Sequence, residues 1–191
     1  MVEFMENTVS YIKRCISVVF LVLIVMGLFG CISNAWQSRF NSALSEYGHR
    51  NWIVVVDSAY PKQSAPGIET VVTDKEQLEV LDFVLDAVAD ADHVQAFVML
   101  DSELDSVIEA DAPGVTEYRS ELRELLKGKQ VKVMPHEEII SELDKAAEMF
   151  DILLLKTDMT IPYTSVFLQL DCGYWDGQKE KRLRDTIVNQ N

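Results

Sequence analysis

The sequence predicts an α/β fold: a single layered domain with a largely parallel sheet flanked by helices, preceded by a signal segment. Three observations carry that expectation. Short runs rich in β-branched and aliphatic residues, at 53–56, 94–100, 131–134 and 152–155, have the length and composition of buried strands. Stretches between them place apolar residues at helical spacing, as in Leu78, Leu81, Leu85 and Val88. The chain has 191 residues, 48% of them hydrophobic, enough for one sizeable core and too few for two. Strands alternating with helices argue for a layered domain.

Taken in order, Phe40, Ala43, Leu44 and Tyr47 lie at i, i+3, i+4 and i+7 and predict a helix that ends at Gly48. Residues 53–56 form the first strand, and 61–67 a loop of turn residues. Val71 and Val72 predict a brief extended piece. Thr73 with Glu76 three positions later predicts a capping box opening a helix over 74–89. A second strand follows at 94–100, then helical structure over 102–126 broken at Pro113-Gly114 and stopped by Gly128. The third strand spans 131–134. A helix over 137–150 turns Ile140, Leu143 and Ala147 inward, and strands at 152–155 and 163–170 complete the sheet.

Residues 1–31 read as a leader rather than as part of the fold. Lys13 and Arg14 precede an apolar core over 16–29, which is shorter than the roughly 20 residues of a membrane span. Gly30-Cys31 after that core resembles a lipobox, with Cys31 as the lipidation site; an uncleaved anchor is the alternative. Either places the following domain, 32–172, in the cell envelope, outside the cytoplasm. A tail over 173–191 carries Lys179, Lys181, Arg182 and Arg184, either as a solvated helix or as a surface that meets an anionic membrane or an acidic neighbour.

The net charge of −14 argues against a nucleic-acid partner, whose phosphates would be repelled. Cys172 is the one thiol outside the leader, so the domain has no intrachain disulfide and no thiolate metal cluster. With neither a GxGxxG nor a P-loop pattern, the expectation is no metal and no cofactor.

The candidate site is organised around residues 47–61. His49 precedes the first strand and Asp57 follows it, and in open α/β sheets ligands gather beyond the carboxyl ends of strands. A strand of that length separates the two by roughly 20 Å, at about 3.3 Å per residue. A neighbouring subunit could close the gap.

Gly48-His49, Asp57 eight residues after the histidine, and Tyr60-Pro61 resemble the opening motif of the D-ribose pyranase and L-fucose mutarotase family, RbsD/FucU. The resemblance continues through Pro66-Gly67-Ile68-Glu69-Thr70, His136-Glu137 and the segment from Pro162 to Leu168. It implies a monosaccharide substrate, a homo-oligomer in pentameric or decameric rings, and sites shared between subunits. It also implies catalytic roles for His49, Asp57 and Tyr163 and substrate contacts from His136, Thr164 and Ser165. Two features depart from it. Ser165 stands where the family carries Asn, and members of the family are mostly soluble cytoplasmic proteins without a leader.

The chemistry expected is opening and reclosing of a cyclic hemiacetal by general acid–base catalysis. One proton is delivered to the ring oxygen and one leaves the anomeric hydroxyl, and imidazole titrates in the range this needs. His49 is the candidate donor, Asp57 the group that orients an imidazole or accepts sugar hydroxyls. A non-catalytic sugar-binding or assembly lipoprotein of the same fold is the alternative. His49 and His136 each also fit an exposed histidine at a helix end or start, and His93 matches nothing in the motif.

Overall fold

The computed structural model describes residues 35–189; the leader and Cys31 lie outside the described residues. Contacts divide the chain at Arg39, and of the first unit only residues 35–39, the start of helix α1 (Ala35–Glu46), are described. Phe40, Ala43, Leu44 and Tyr47 are all buried, as their spacing requires, and Phe40 meets Phe83 edge to face at 5.5 Å.

The second unit holds a six-stranded sheet. Its strands are β1 (Trp52–Val56), β2 (Ile68–Val72), β3 (Val94–Asp101), β4 (Val131–Met134), β5 (Ile152–Lys156) and β6 (Val166–Cys172), in the spatial order β2-β5-β1-β6-β3-β4. β6 is antiparallel to both its neighbours, and every other pairing is parallel. The sheet is therefore mixed, with five strands running one way and β6 reversed between β1 and β3. Consequently the carboxyl ends of five strands and the amino end of β6 share one edge. That edge is where a site can draw on the most loops.

β1, β5 and the first half of β6 are almost fully enclosed, which explains why their sequences are unbroken apolar runs. Along β1 the side chains alternate. Trp52, Val54 and Val56 join Ile152, Leu154, Phe167 and Met99 on one face, beneath Ile139, Leu143 and Ala147 of helix α4 (His136–Ala147). Helix α2 (Gln77–Ala89) buries Val80, Leu81, Val84, Leu85 and Val88 and packs on β1, β3 and helix α3 (Val115–Leu125). Each such aliphatic side chain contributes about 1.5–3 kcal/mol by leaving water. On α4 it is Ile139 that is fully buried, while Ile140, expected inside, is only half-buried at the helix flank.

Three local expectations differ from the structure. The capping box does not form: the Thr73 hydroxyl and N–H both donate to the Lys156 carbonyl at the end of β5, and α2 starts at Gln77 with no side-chain cap. The stretch after β3 is a 3-10 turn over Ser102–Ser106 followed by a loop, with regular helix only from Val115. Arg119 holds that loop by donating to the carbonyls of Leu104, Asp105 and Val107, and Glu109 accepts the N–H groups of Gly114 and Thr116. Those amides hold the Glu109 carboxyl down at about 2. Lastly, β6 begins at Val166, not Tyr163. The Thr164 carbonyl is drawn away from the sheet by the buried Gln77 amide and the Tyr118 hydroxyl, and Tyr163 sits at φ 59°.

The tail forms helix α5 (Gly177–Asn189), none of whose residues is buried. Among the described residues no helix is long and apolar enough to cross a membrane.

Candidate functional site

Asp57 is the first residue beyond β1, and the turn it opens is built by its own atoms. Its Oδ1 accepts the Ala59 N–H at 2.8 Å, its carbonyl accepts the Tyr60 N–H, and Ser58 N–H donates to Met159 O at 2.8 Å. The last bond stitches this turn to the loop that precedes Tyr163. The Lys156 ammonium, at the end of β5, donates to the Tyr60 carbonyl at 2.8 Å from beneath.

His136 opens α4 immediately after β4 and Pro135. β4 pairs with β3 so that Met134 lies opposite Asp101, and this register brings the imidazole to the end of β3. Nδ1 of His136 and Oδ2 of Asp101 are 2.9 Å apart. The Glu103 carboxylate accepts the His136 main-chain N–H with both oxygens at 3.1 Å, capping the helix where its unpaired amides and dipole favour an anion. The imidazole meets the Tyr163 ring edge to face at 5.8 Å.

Asp57, His136 and Tyr163 thus line one open cleft of about 510 Å³, together with Ala59, Tyr60, Pro61, Gln63, Ile140 and residues 160–162. Its lining mixes titratable side chains with apolar ones. Burial pushes the Asp101 carboxyl up to about 6, partly offset by the hydrogen bond and charge of His136. Burial likewise raises the Tyr60 hydroxyl above its ordinary range.

The structure does not bring His49 to this cleft within one chain. It lies at the opposite edge of the sheet, before β1, with Nδ1 2.5 Å from Oδ1 of Asp171 near the end of β6 and a side chain 60% exposed. The separation follows from the strand length. Thr164 and Ser165 sit beside Tyr163 in sequence but are buried, at 0% and 2% exposed. The Thr164 hydroxyl donates to the Ile161 carbonyl at 2.9 Å and faces Gln77. His93 is a turn residue bonded to the Leu44 carbonyl.

Asp101 and Glu103 were not foreseen as part of the site. Asp101 carries the same signal as Asp57, an aspartate at the carboxyl end of an apolar strand. Among the described residues no cluster of three His, Cys, Asp or Glu is arranged to hold a metal ion.

The model of the RbsD/FucU transport protein family matches residues 32–172, about three quarters of the chain. The chain belongs to the RbsD/FucU family. The family match ends with β6, so α5 lies beyond it. No curated protein sequence matches significantly. Similar solved structures include RbsD of Bacillus subtilis complexed with D-ribose, 20% identical over 70% of this chain and 92% of that one, with a TM-score of 0.48. Another is the Streptococcus pneumoniae fucose mutarotase in complex with L-fucose, 19% identical over 68% and 89% of the two chains, with a TM-score of 0.46. FucU of Bifidobacterium longum is 15% identical over 70% and 94%, with a TM-score of 0.48. As a family member, the chain carries Asp57, His136 and Tyr163 within the matched region.

Proposed function

We propose that this protein is a cofactor-independent monosaccharide mutarotase or pyranase working by general acid–base catalysis. The observation that carries the reading is the convergence of Asp57, His136 and Tyr163 on one open cleft of about 510 Å³, within the usual size range of small-ligand pockets. Ring opening of a hemiacetal needs a proton acceptor at the anomeric hydroxyl and a donor at the ring oxygen, both working near neutral pH. An imidazole at the cleft wall serves one of these tasks. Asp57, already fixed by the Ala59 amide, accepts sugar hydroxyls, and the edge of Tyr163 closes over the sugar.

The second imidazole, His49, belongs to this reaction only if a neighbouring subunit supplies it. Its exposed position at the opposite sheet edge, steadied by Asp171, suits presentation to another protomer's cleft in a closed ring. Family membership supports that arrangement, with the sugar held between subunits. The leader motif supports attachment through Cys31 and a place in the cell envelope. Metabolic labelling with a fatty acid, lost in Cys31→Ser, tests the attachment.

The experiment for the function is saturation-transfer NMR with D-ribose, L-fucose, galactose and glucose, comparing wild type with His49→Ala. Protein-dependent exchange between anomers or ring forms, lost in the variant, is the expected result. A second reading, a sugar-binding protein without turnover, is favoured by Ser165, which replaces an amide with a single, buried hydroxyl. It predicts binding shifts in the same spectra with no exchange.

A further inference from the structure

We propose that Asp101 is a positioning residue for this cleft, holding His136 in the tautomer that carries its proton on Nδ1 and leaves Nε2 bare toward the sugar. The consequence for turnover rests on the mutarotase reading; the positioning itself rests on geometry.

Two elements fix His136 through one segment of chain. The end of β3 supplies Asp101 to the imidazole, and two residues later Glu103 takes the main-chain N–H, so ring and backbone are both held from that end. Tyr163 packs edge-on against the ring and sets its remaining rotation. With Nδ1 turned to Asp101, Nε2 lies on the far side of the ring.

The carboxylate directs its bonding at that one atom. The Asp101 side chain has no exposure to solvent, and its Oδ1 has no hydrogen-bond partner among the described residues. A buried anion with a single partner makes a strong charge-assisted bond, and an ionised carboxylate can only accept. Once Asp101 is ionised, as it is above about pH 6, the proton is therefore on Nδ1. The ionised form of Asp101 is disfavoured by its burial, so the residue does not serve the fold as an ion-pair staple. Its value is at the imidazole: the tautomer is set by the bond the other nitrogen makes, and a bare Nε2 is the form able to take a proton from a sugar hydroxyl.

The test uses the full-length protein with ¹⁵N-labelled histidine at pH 8, with resonances assigned through His49→Gln, His93→Gln and His136→Gln. Long-range ¹H–¹⁵N spectra of the wild type are expected to show His136 protonated at Nδ1 and bare at Nε2. In Asp101→Asn the amide can donate, and His136 shifts toward the Nε2–H form. With D-ribose and L-fucose as probes, the exchange kcat falls at least about 10²-fold while KM stays within about threefold, the lower end of what a misplaced general base costs. A wild-type His136 in the Nε2–H form overturns the proposal, and so does a wild-type kcat in Asp101→Asn. If that variant does not fold, the wild-type spectrum decides. If the wild type exchanges neither sugar, the functional reading fails for them, and the tautomer, which needs no turnover, still decides the positioning.

Discussion

Nδ1 of His136 lies 2.9 Å from Oδ2 of Asp101, a carboxylate with no exposed side-chain surface at the end of a strand. The pair ties the core of the sheet to the open cleft. One partner is closed off from solvent, and the other is 28% exposed.

That pair gives a pH dependence whose sign is fixed. The Asp101 carboxyl is raised from its ordinary 3.8 to about 6 in the fold, chiefly by burial, with Glu103 and Asp57 adding to the rise and His136 opposing it. Between those values the folded state binds more protons than the unfolded one, so stability falls as pH rises. The contribution is fully present below about pH 4 and lost above about 6. Melting temperatures across that window should decline for the wild type relative to Asp101→Asn. Sugar exchange should move oppositely, rising as Asp101 ionises and can hold His136.

Mixing inactive subunits tests whether the two imidazoles meet across an interface. His49→Ala and His136→Ala should each lack exchange alone. Unfolded and reassembled together, they should recover about a quarter of the wild-type rate, the share of interfaces that join two intact halves at random. No recovery from correctly assembled mixed rings would place His49 outside the reaction.

Asp57→Asn should weaken sugar affinity by about tenfold, through one charge-assisted hydrogen bond lost to a neutral one. The side chain is half-buried and bonded within its own turn, so thermal stability should change little. Sugar titration by calorimetry beside a melting curve separates the two effects.

Gln77→Leu should lower stability and sugar binding together. Gln77 is fully buried and donates to the Thr164 carbonyl and the Tyr118 hydroxyl beneath Tyr163. Losing it strips a buried network of a donor, at a cost of about 1–3 kcal/mol in denaturant unfolding. The same loss frees Tyr163 from its left-handed backbone position, so the sugar KM should rise as well.

The elements that could be read from the chain are those decided locally. Strands β1 and β5 announce themselves because a buried strand must be an apolar run, β3 and the exposed edge strand β4 through their β-branched and aliphatic residues, and α2 because one face alone is enclosed. Thr73 misled because its hydroxyl had a choice: a helix amide nearby in sequence, or the Lys156 carbonyl that the sheet brings to it. Tyr163 misled for a similar reason, an aromatic at an apparent strand start whose neighbour, Thr164, has its carbonyl claimed by Gln77 from 87 positions earlier.

The site follows the same division. Asp57 and His136 follow β1 and β4 and Tyr163 lies in the loop before β6, whose reversed direction gathers all three at one edge. The distance from His49 to Asp57 was implicit in a five-residue strand. Asp101 was hidden because its meaning depends on His136, which only the β3–β4 register brings beside it. The Asp171 that steadies His49 is 122 positions away and was hidden likewise.

The most direct measurement is two-dimensional exchange NMR of D-ribose and L-fucose with the wild type and with His136→Ala. Exchange between ring forms or anomers should rise in proportion to wild-type protein and fall at least about 10²-fold in the variant, the usual scale of a lost general acid or base. Exchange in His136→Ala at the wild-type rate, or none from either sugar with the assembled wild type, would contradict the mutarotase reading.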